Sequence, residues 1–241
     1  MMPDANAELI FETLRSLWNI SAEDPRWRLL PFDQVSLAEF QPRLREFVAA
    51  APREMKGSID SAAIVRGEIV SMGEGSVIEA GAVIHHSCRL VLGPRSVVRA
   101  GAVLRDEVVV GADCLVGVHC EVVRSVVLGP RSYLGHFVYM GDSIAGRDVN
   151  VAGNVMMANT LAEKGKSVEL RYGGARVDSR RASVGAFIGD GVSFGASNTL
   201  SPGCVVLPGL ALPPHVALYG TIDGARRRAL MLEFARAWGG K

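Results

Sequence analysis

Aliphatic residues recur every six positions through the middle of this chain, and the period holds over most of its length. Neither the 3.6-residue period of an α-helix nor the two-residue alternation of a strand explains a repeat of six. From Leu92 to Leu134, the residue four places after each of these positions is small or β-branched. The repeating positions are Met72, Ile78, Ile84, Leu92, Val98, Leu104, Val110, Val116, Val122, Leu128, Leu134, Met140, Ile188, Phe194, Leu200, Val206, Leu212 and Leu218.

This repeat predicts an all-β solenoid built from three-sided coils. Each group of six residues forms one flat side, with its aliphatic residue directed inward and the residue four places on filling a narrow inner slot. Coils then stack at about 4.8 Å, the ordinary spacing between strands. Residues 58–220 provide about seven coils, interrupted by an excursion over residues 158–187 that breaks the register. An antiparallel sandwich, the alternative, gives no reason for a strict period of six.

The segments on either side of the repeat are predicted to be helical. Residues 1–57 contain an amphipathic helix over Ala5–Ile20 and a second helix near Ser36–Ala51. Residues 221–241 contain a third helix, Arg226–Trp238. We expect these helices to cap the open ends of the solenoid or to pad a subunit interface.

The excursion contains a predicted hairpin. Val168, Leu170 and Tyr172 alternate, and Gly173-Gly174 suits a two-residue turn before the chain returns. The segment is rich in Lys and Arg. It is either a solvated loop or a basic flap over a phosphorylated ligand, and the sequence favours neither.

Cysteine and histidine positions argue against a metal site. All four cysteines occupy the inner slot, where a thiol behaves as a compact apolar group: Cys88, Cys114, Cys120 and Cys204. The five histidines occupy unequal slots and lack the spacing of the zinc-binding solenoid carbonic anhydrases: His85, His86, His119, His136 and His215. We expect no metal site within one chain. A metal site shared between subunits is the alternative.

Charge and hydropathy narrow the class of protein. The 26 basic and 25 acidic residues give a net charge of +1, which is not the basic field of a nucleic-acid-binding protein. No run of about 18 apolar residues predicts a membrane span. Acidic residues within the first twenty positions, such as Glu8 and Glu12, are atypical of a secretory signal. We therefore expect a cytoplasmic protein that binds no nucleic acid and has no membrane span.

Polar residues are densest just before the excursion: His136, Tyr139, Asp142, Asn150, Asn154 and Asn159. His136 lies beside a turn and is directed outward by the register. A neutral imidazole can accept a proton from an attacking amine or hydroxyl. A single histidine is, however, more often structural, and the register by itself does not assign it a role.

Three motifs carry a more specific resemblance. HFVYMGDSIAGRDVNVAGNVMMANT (136–160), RVDSRRASVGAFIGD (176–190) and LSPG (200–203) are similar to the C-terminal acetyltransferase domain of GlmU-like and archaeal sugar-1-phosphate nucleotidyltransferases. The repeat itself resembles the LpxA-like, hexapeptide-repeat acyltransferases. The resemblance implies a single-stranded left-handed parallel β-helix that forms a homotrimer and uses acetyl-CoA or another acyl donor. No Gly-rich nucleotidyltransferase loop occurs in residues 1–57, so that activity is not expected.

The resemblance also assigns roles to residues. It implies that His136 is the catalytic base and that Gly153 and Ala196 line the acyl-CoA groove. Thr160 stands where the family has an aromatic residue. The implied substrate contacts are Tyr139, Asn150, Asn159, Arg105, Arg124 and Lys166.

The implied reaction is transfer of an acyl group to nitrogen or oxygen of a phosphorylated or nucleotide-linked sugar. The alternative is a non-catalytic protein that kept the family pocket, either a scaffold or a binder of sugar phosphates or nucleotide sugars. The replacement of the aromatic residue by Thr160 favours this alternative. The retention of His136 and Asn150 favours the enzyme.

Overall fold

The structure is a computed structural model that describes residues 40–127, 131–172 and 175–238. It contains helix α1 (Phe40–Ala50), helix α2 (Gly224–Trp238) and strands β1–β26. The predicted helix over Ala5–Ile20, the repeat position Leu128 and the turn Gly173-Gly174 lie outside the described residues.

Twenty-four of these strands form three parallel sheets, which are the three sides of a prism. Side 1 consists of β1 (Ser58–Ile59), β4 (Val77–Ile78), β7 (Val97–Val98), β10 (Leu115–Val116), β13 (Tyr133–Leu134), β16 (Asn150–Val151), β21 (Ser193–Phe194) and β24 (Ala211–Leu212). Side 2 consists of β2 (Ile64–Val65), β5 (Val83–Ile84), β8 (Val103–Arg105), β11 (Glu121–Val123), β14 (Tyr139–Gly141), β17 (Met156–Met157), β22 (Thr199–Leu200) and β25 (Ala217–Leu218). Side 3 consists of β3 (Glu68–Met72), β6 (Arg89–Leu92), β9 (Glu107–Val110), β12 (Val126–Val127), β15 (Ile144–Ala145), β20 (Phe187–Ile188), β23 (Val205–Val206) and β26 (Thr221–Ile222).

Each strand pairs with the equivalent strands one coil before and one coil after it. Val116, for example, stands opposite Val98 on one side and Leu134 on the other. The predicted parallel solenoid is confirmed. Each side has eight strands in the described residues, so the prediction of seven coils was one too low. Strand β26 completes the eighth coil, because it continues side 3 past residue 220. Phe187 belongs to a regular strand rather than to the excursion.

The repeating aliphatic positions fill the inside of the prism. Ile78, Leu104 and Leu134 have no exposed surface, and the same holds along the stack. The inner-slot prediction is also confirmed, because all four cysteines are buried free thiols. Burial raises the pKa of Cys204 to about 12, as expected for a thiol that serves as an apolar filler.

Helix α1 and the excursion cover side 3 from outside. Leu44 and Val48 of α1 pack in one buried cluster with side 3 residues such as Val109 and Ile144. The helix therefore lies along a side of the prism and not across an open end. It does so because the outward positions of side 3 are apolar, and their burial favours a covering layer.

The excursion contains the predicted hairpin, with β18 (Glu169–Tyr172) antiparallel to β19 (Ala175–Asp178). Val168 and Leu170 are buried in the cluster that α1 forms with side 3. This part of the excursion is consequently a packed element and not a solvated loop.

Helix α2 closes the C-terminal end of the prism. It packs on β24 and β26, and its Leu230, 2% exposed, joins the cluster inside the prism. For this helix the expectation of a cap is confirmed.

The buried slot of Cys120 provides a test of the inward assignment. Cys120 is 1% exposed, and its Sγ lies 2.8 Å from the carbonyl oxygen of Gly135, so no room is left for a larger side chain. We expect Cys120→Leu to overpack the coil and lower the free energy of unfolding by about 1–3 kcal/mol in urea denaturation. The control Glu233→Leu places the same side chain at an exposed position of helix α2 and should change stability by less than about 0.5 kcal/mol. Equal stability of the Cys120 variant and the parent would contradict the assignment.

Candidate active site

Most of the predicted site residues lie at two corners of the prism and on the side between these corners. The histidine corner joins sides 1 and 2 and contains His136, Gly153 and Ala196. The aspartate corner joins sides 2 and 3 and contains Asp106, Arg124, Asp142 and Asn159. Side 2 lies between the two corners, and Tyr139 is on its β14 strand.

At the histidine corner three predicted residues stack in three consecutive coils. The amide of Asn154 donates to the carbonyl of His136 over 2.8 Å, and the amide of Ser197 donates to the carbonyl of Gly153 over 3.0 Å. These bonds place Gly153 directly after His136 in the stack and Ala196 directly after Gly153. A Cβ on Gly153 would lie 3.4 Å from the His136 carbonyl oxygen. The predicted base and the predicted acyl-CoA groove therefore share one edge of the solenoid.

His136 is exposed at this corner. The next residue, Phe137, has a φ of 57° and is 61% exposed. Its ring stacks on that of His119 from the preceding coil, with ring centroids 5.4 Å apart. An imidazole at this position is open to a ligand that approaches along the edge.

The aspartate corner is a polar ladder built from coil-equivalent positions. Asp106, Arg124 and Asp142 follow one another at a separation of 18 residues, and each has a positive φ, 58°, 47° and 47° respectively. Asn159 occupies the same corner in the next coil. The left-handed backbone costs about 1–2 kcal/mol at a residue other than glycine. Hydrogen bonds between the stacked side chains help to offset that cost.

Asp142 is the centre of this ladder and is 1% exposed. Arg124 donates to both of its oxygens, from Nε over 2.9 Å and from Nη2 over 3.1 Å. Asn159 Nδ2 donates to Oδ2 over 2.6 Å, and Gln41 of helix α1 donates to Oδ1. A buried carboxylate requires such partners, and a bidentate guanidinium is the strongest of them.

Arg124 is held by two carboxylates, because its Nη1 also lies 2.7 Å from Asp106 Oδ2. The hydrogen bond to Asp142 is the largest cause that raises the pKa of Arg124, while burial acts in the opposite direction. The guanidinium that the resemblance assigns to a sugar phosphate is thus already engaged inside the protein.

Tyr139 connects side 2 with the aspartate corner. Its hydroxyl donates to Asn159 Oδ1 over 3.3 Å. Burial raises the pKa of Tyr139, and the nearby carboxylates of Glu121 and Asp142 raise it further. Two predicted substrate contacts, Tyr139 and Asn159, are therefore in direct contact with each other.

Of the remaining predicted residues, Arg105 lies beside the aspartate corner, where its carbonyl accepts from the amide of Arg124 over 3.3 Å, whereas Asn150 and Lys166 lie apart from that corner. Arg105 forms an ion pair of 2.5 Å with Glu121 on side 2. Asn150 is exposed on β16 of side 1, in the same coil as Gly153. Lys166 is exposed at the start of the excursion and pairs with Glu163. Near the start of the same segment, Thr160 is bridged to Ser183.

Sequence reasoning missed Asp106, Gln41 and Arg181 as members of the aspartate corner. The separation of 18 residues between Asp106, Arg124 and Asp142 was a usable signal, because coil-equivalent positions must stack. No pattern indicates Gln41, which reaches Asp142 from α1 and also accepts a hydrogen bond from Arg181.

Residues 40–127, 131–172 and 175–238 contain no group of three or more His, Cys, Asp or Glu side chains arranged to hold a metal ion. No helix in these ranges is long and apolar enough to cross a bilayer.

The sequence of this chain is similar to those of several known proteins, although it matches no sequence model of a protein family. It is 29% identical over 151 residues to a bifunctional sugar-1-phosphate nucleotidylyltransferase/acetyltransferase from Sulfurisphaera tokodaii, covering 61% of this chain and 35% of that protein. It is 36% identical over 105 residues to the bifunctional protein GlmU of Methanococcus vannielii, covering 44% and 25%. The resemblance to GlmU-like proteins is confirmed. The chain spans about a third or less of the length of these relatives.

Among solved structures, PerB from Caulobacter crescentus in complex with CoA and GDP-perosamine matches over 91% of each chain. The identity is 17% and the TM-score 0.27. A likeness of this size carries no argument about function.

The buried ion pair at the aspartate corner provides a second test. We expect Arg124→Gln to lower the free energy of unfolding by about 3 kcal/mol, because it leaves the Asp142 carboxylate buried without its main partner. Arg95→Gln is the matched control, since Arg95 also has a positive φ, 55°, and pairs with Asp113 through two nitrogens, but is 65% exposed. That change should cost no more than about 1 kcal/mol. If the two variants lose similar amounts of unfolding free energy in chemical denaturation, the buried ion pair contributes no more to stability than the exposed one, and the expectation is wrong.

Proposed function

We propose that this protein is an acyl-CoA-dependent acyltransferase that acylates a phosphorylated or nucleotide-linked sugar, with His136 as the general base. The observation that carries the proposal is the histidine corner, where an exposed imidazole is followed in the stack by Gly153 and Ala196. The similarity to bifunctional proteins whose name includes an acetyltransferase supports the same class of reaction.

The reaction is a direct transfer. The sugar amine or hydroxyl attacks the thioester carbonyl while His136 accepts its proton, so that a C–N or C–O bond forms and the C–S bond breaks. The imidazolium returns the proton to the departing thiolate. Backbone amides near Gly153 stabilise the negative charge on the carbonyl oxygen, which is usually a large contribution to catalysis. Acetyl-CoA is the donor that the resemblance favours.

The covered and open sides of the prism suggest where a second copy would dock. Helix α1 and the hairpin occupy side 3, whereas the outward residues of side 2, such as Met156 and Thr199, are exposed. A homotrimer built through sides 1 and 2 would place the histidine corner of one copy beside its neighbour. The pantetheine arm of the donor would lie in the groove between them.

The acceptor would lie on side 2, between His136 and the aspartate corner. Tyr139 and Asn159 contact the sugar there, and Arg105, 39% exposed, provides a positive charge for a phosphate. Arg124 is bound to two carboxylates, which balance its charge, so the phosphate contact falls to Arg105. Asn150 and Lys166 remain candidate contacts from side 1 and from the excursion.

Replacement of His136 tests the proposal. We expect His136→Ala to reduce kcat for acetyl transfer to amino-sugar phosphates by about 10²–10⁴, because the general base is lost. Release of the free thiol of CoA is the measurement. His86→Ala is the control. His86 is also exposed, but it lies between β5 and β6, three coils before His136. Its loss should leave kcat unchanged.

Two results would contradict the proposal. Unchanged turnover in His136→Ala would remove the histidine from the role of base. Absence of turnover in the parent with all sugars and acyl-CoA donors, together with thermal stabilisation by sugar phosphates only, would favour the non-catalytic binding protein.

A further inference from the structure

Asp142 has no hydrogen-bonding capacity left for a ligand. A carboxylate offers about four lone-pair positions, and Asp142 receives four donors. Arg124 Nε and Gln41 Nε2 bond to Oδ1, while Arg124 Nη2 and Asn159 Nδ2 bond to Oδ2. With 1% of its surface exposed, this residue can influence a bound substrate only through its neighbours.

The contact with Asp142 determines how the Asn159 amide is oriented. A carboxylate only accepts hydrogen bonds, so the NH₂ group of Asn159 must face Asp142, over 2.6 Å. The carbonyl oxygen of the amide then faces the hydroxyl of Tyr139, over 3.3 Å. Without a fixed acceptor the amide would have two nearly equivalent orientations, and the reversed one would place two oxygens against each other at Asp142.

The carboxylate is itself held in place. Arg124 binds it through two nitrogens and is anchored from the preceding coil by Asp106. The phenol of Tyr139 is therefore oriented by a series of hydrogen bonds. The series starts at Asp106 and runs through Arg124 and Asp142 to Asn159, with one residue in each of four consecutive coils. Every link except the last is a charge-assisted hydrogen bond, the shorter and stronger type.

We propose that Asp142 is a positioning residue of the acceptor site: its carboxylate fixes the amide of Asn159 and, through that amide, the hydroxyl of Tyr139. This inference rests on the proposed function, in which Tyr139 and Asn159 contact the sugar. It adds a determinant of acceptor recognition that never touches the acceptor.

Steady-state kinetics of Asp142→Asn test the proposal. We expect the KM for the sugar acceptor to rise about tenfold, the value of one positioning hydrogen bond, while kcat and the KM for acyl-CoA change less than about twofold. Asp148→Asn is the matched control, because Asp148 has a positive φ, 55°, and pairs with Arg131 through two nitrogens at another corner. It should leave all constants unchanged.

A double-variant comparison separates positioning from a general structural effect. In the background of Asn159→Ala the exchange Asp142→Asn should cause no further rise in the acceptor KM, because its effect passes through Asn159. A tenfold rise in both backgrounds, or equal effects of Asp142→Asn and Asp148→Asn, would overturn the proposal. If Asp142→Asn does not fold, Asp142→Glu keeps the charge beside Arg124 and moves the oxygens, with the same expectations.

A measurement without substrate distinguishes failure of this inference from failure of the proposed function. In ¹³C-tyrosine NMR, with the signal of Tyr139 assigned by Tyr139→Phe, Asp142→Asn should shift that signal and lower the pKa of Tyr139, which the Asp142 charge raises. Asp148→Asn should do neither. A shifted signal in a protein that transfers no acyl group would support the link and refute the proposed function. An unchanged signal would refute the link.

Discussion

Stacking of equivalent positions in successive coils is the constraint on which the rest of this structure depends. Parallel pairing aligns each residue with its counterpart one coil away, as Val98, Val116 and Leu134 show. A side chain that fits in one coil must therefore be compatible with its counterparts above and below. At Gly117 even a methyl group is excluded, because a Cβ would lie 2.0 Å from the carbonyl oxygen of Gly135.

The same constraint produces the site. It stacks His136, Gly153 and Ala196 on one edge, and it aligns Asp106, Arg124 and Asp142 on another. The inside of the prism is closed to ligands, since its inner positions are fully buried, and side 3 is covered by α1 and the hairpin. In the described residues this leaves sides 1 and 2, with their edges, open to a ligand, and the candidate site lies on side 2 and its two edges.

Much of the fold could be predicted because a period of six has one simple structural solution. Inward residues such as Ile84 and Leu104, and the inner-slot cysteines, follow directly from the register. The position of α1 could not be predicted in this way. The sequence predicts a helix near Ser36–Ala51, but not whether it packs on an end or on a side of the prism. The apolar outward positions of side 3, such as Val109 and Ile144, decide that question only in three dimensions.

Prediction of the candidate site from the sequence was limited for a different reason. Motif resemblance selected His136, Tyr139 and Asn159, and the register placed His136 outward, as found. Resemblance does not show what a side chain is bonded to inside its own protein. Arg124 is already bound to two carboxylates, and Gln41 reaches the corner from about a hundred residues away along the chain, a contact that no local pattern encodes.

The most direct test of the account is a crystal structure of the protein grown with CoA. We expect the pantetheine arm to lie along the edge formed by Gly153 and Ala196, with the thiol sulfur within hydrogen-bonding distance of the His136 imidazole. CoA bound at another edge or on side 3, with the His136 imidazole far from the thiol, would contradict it.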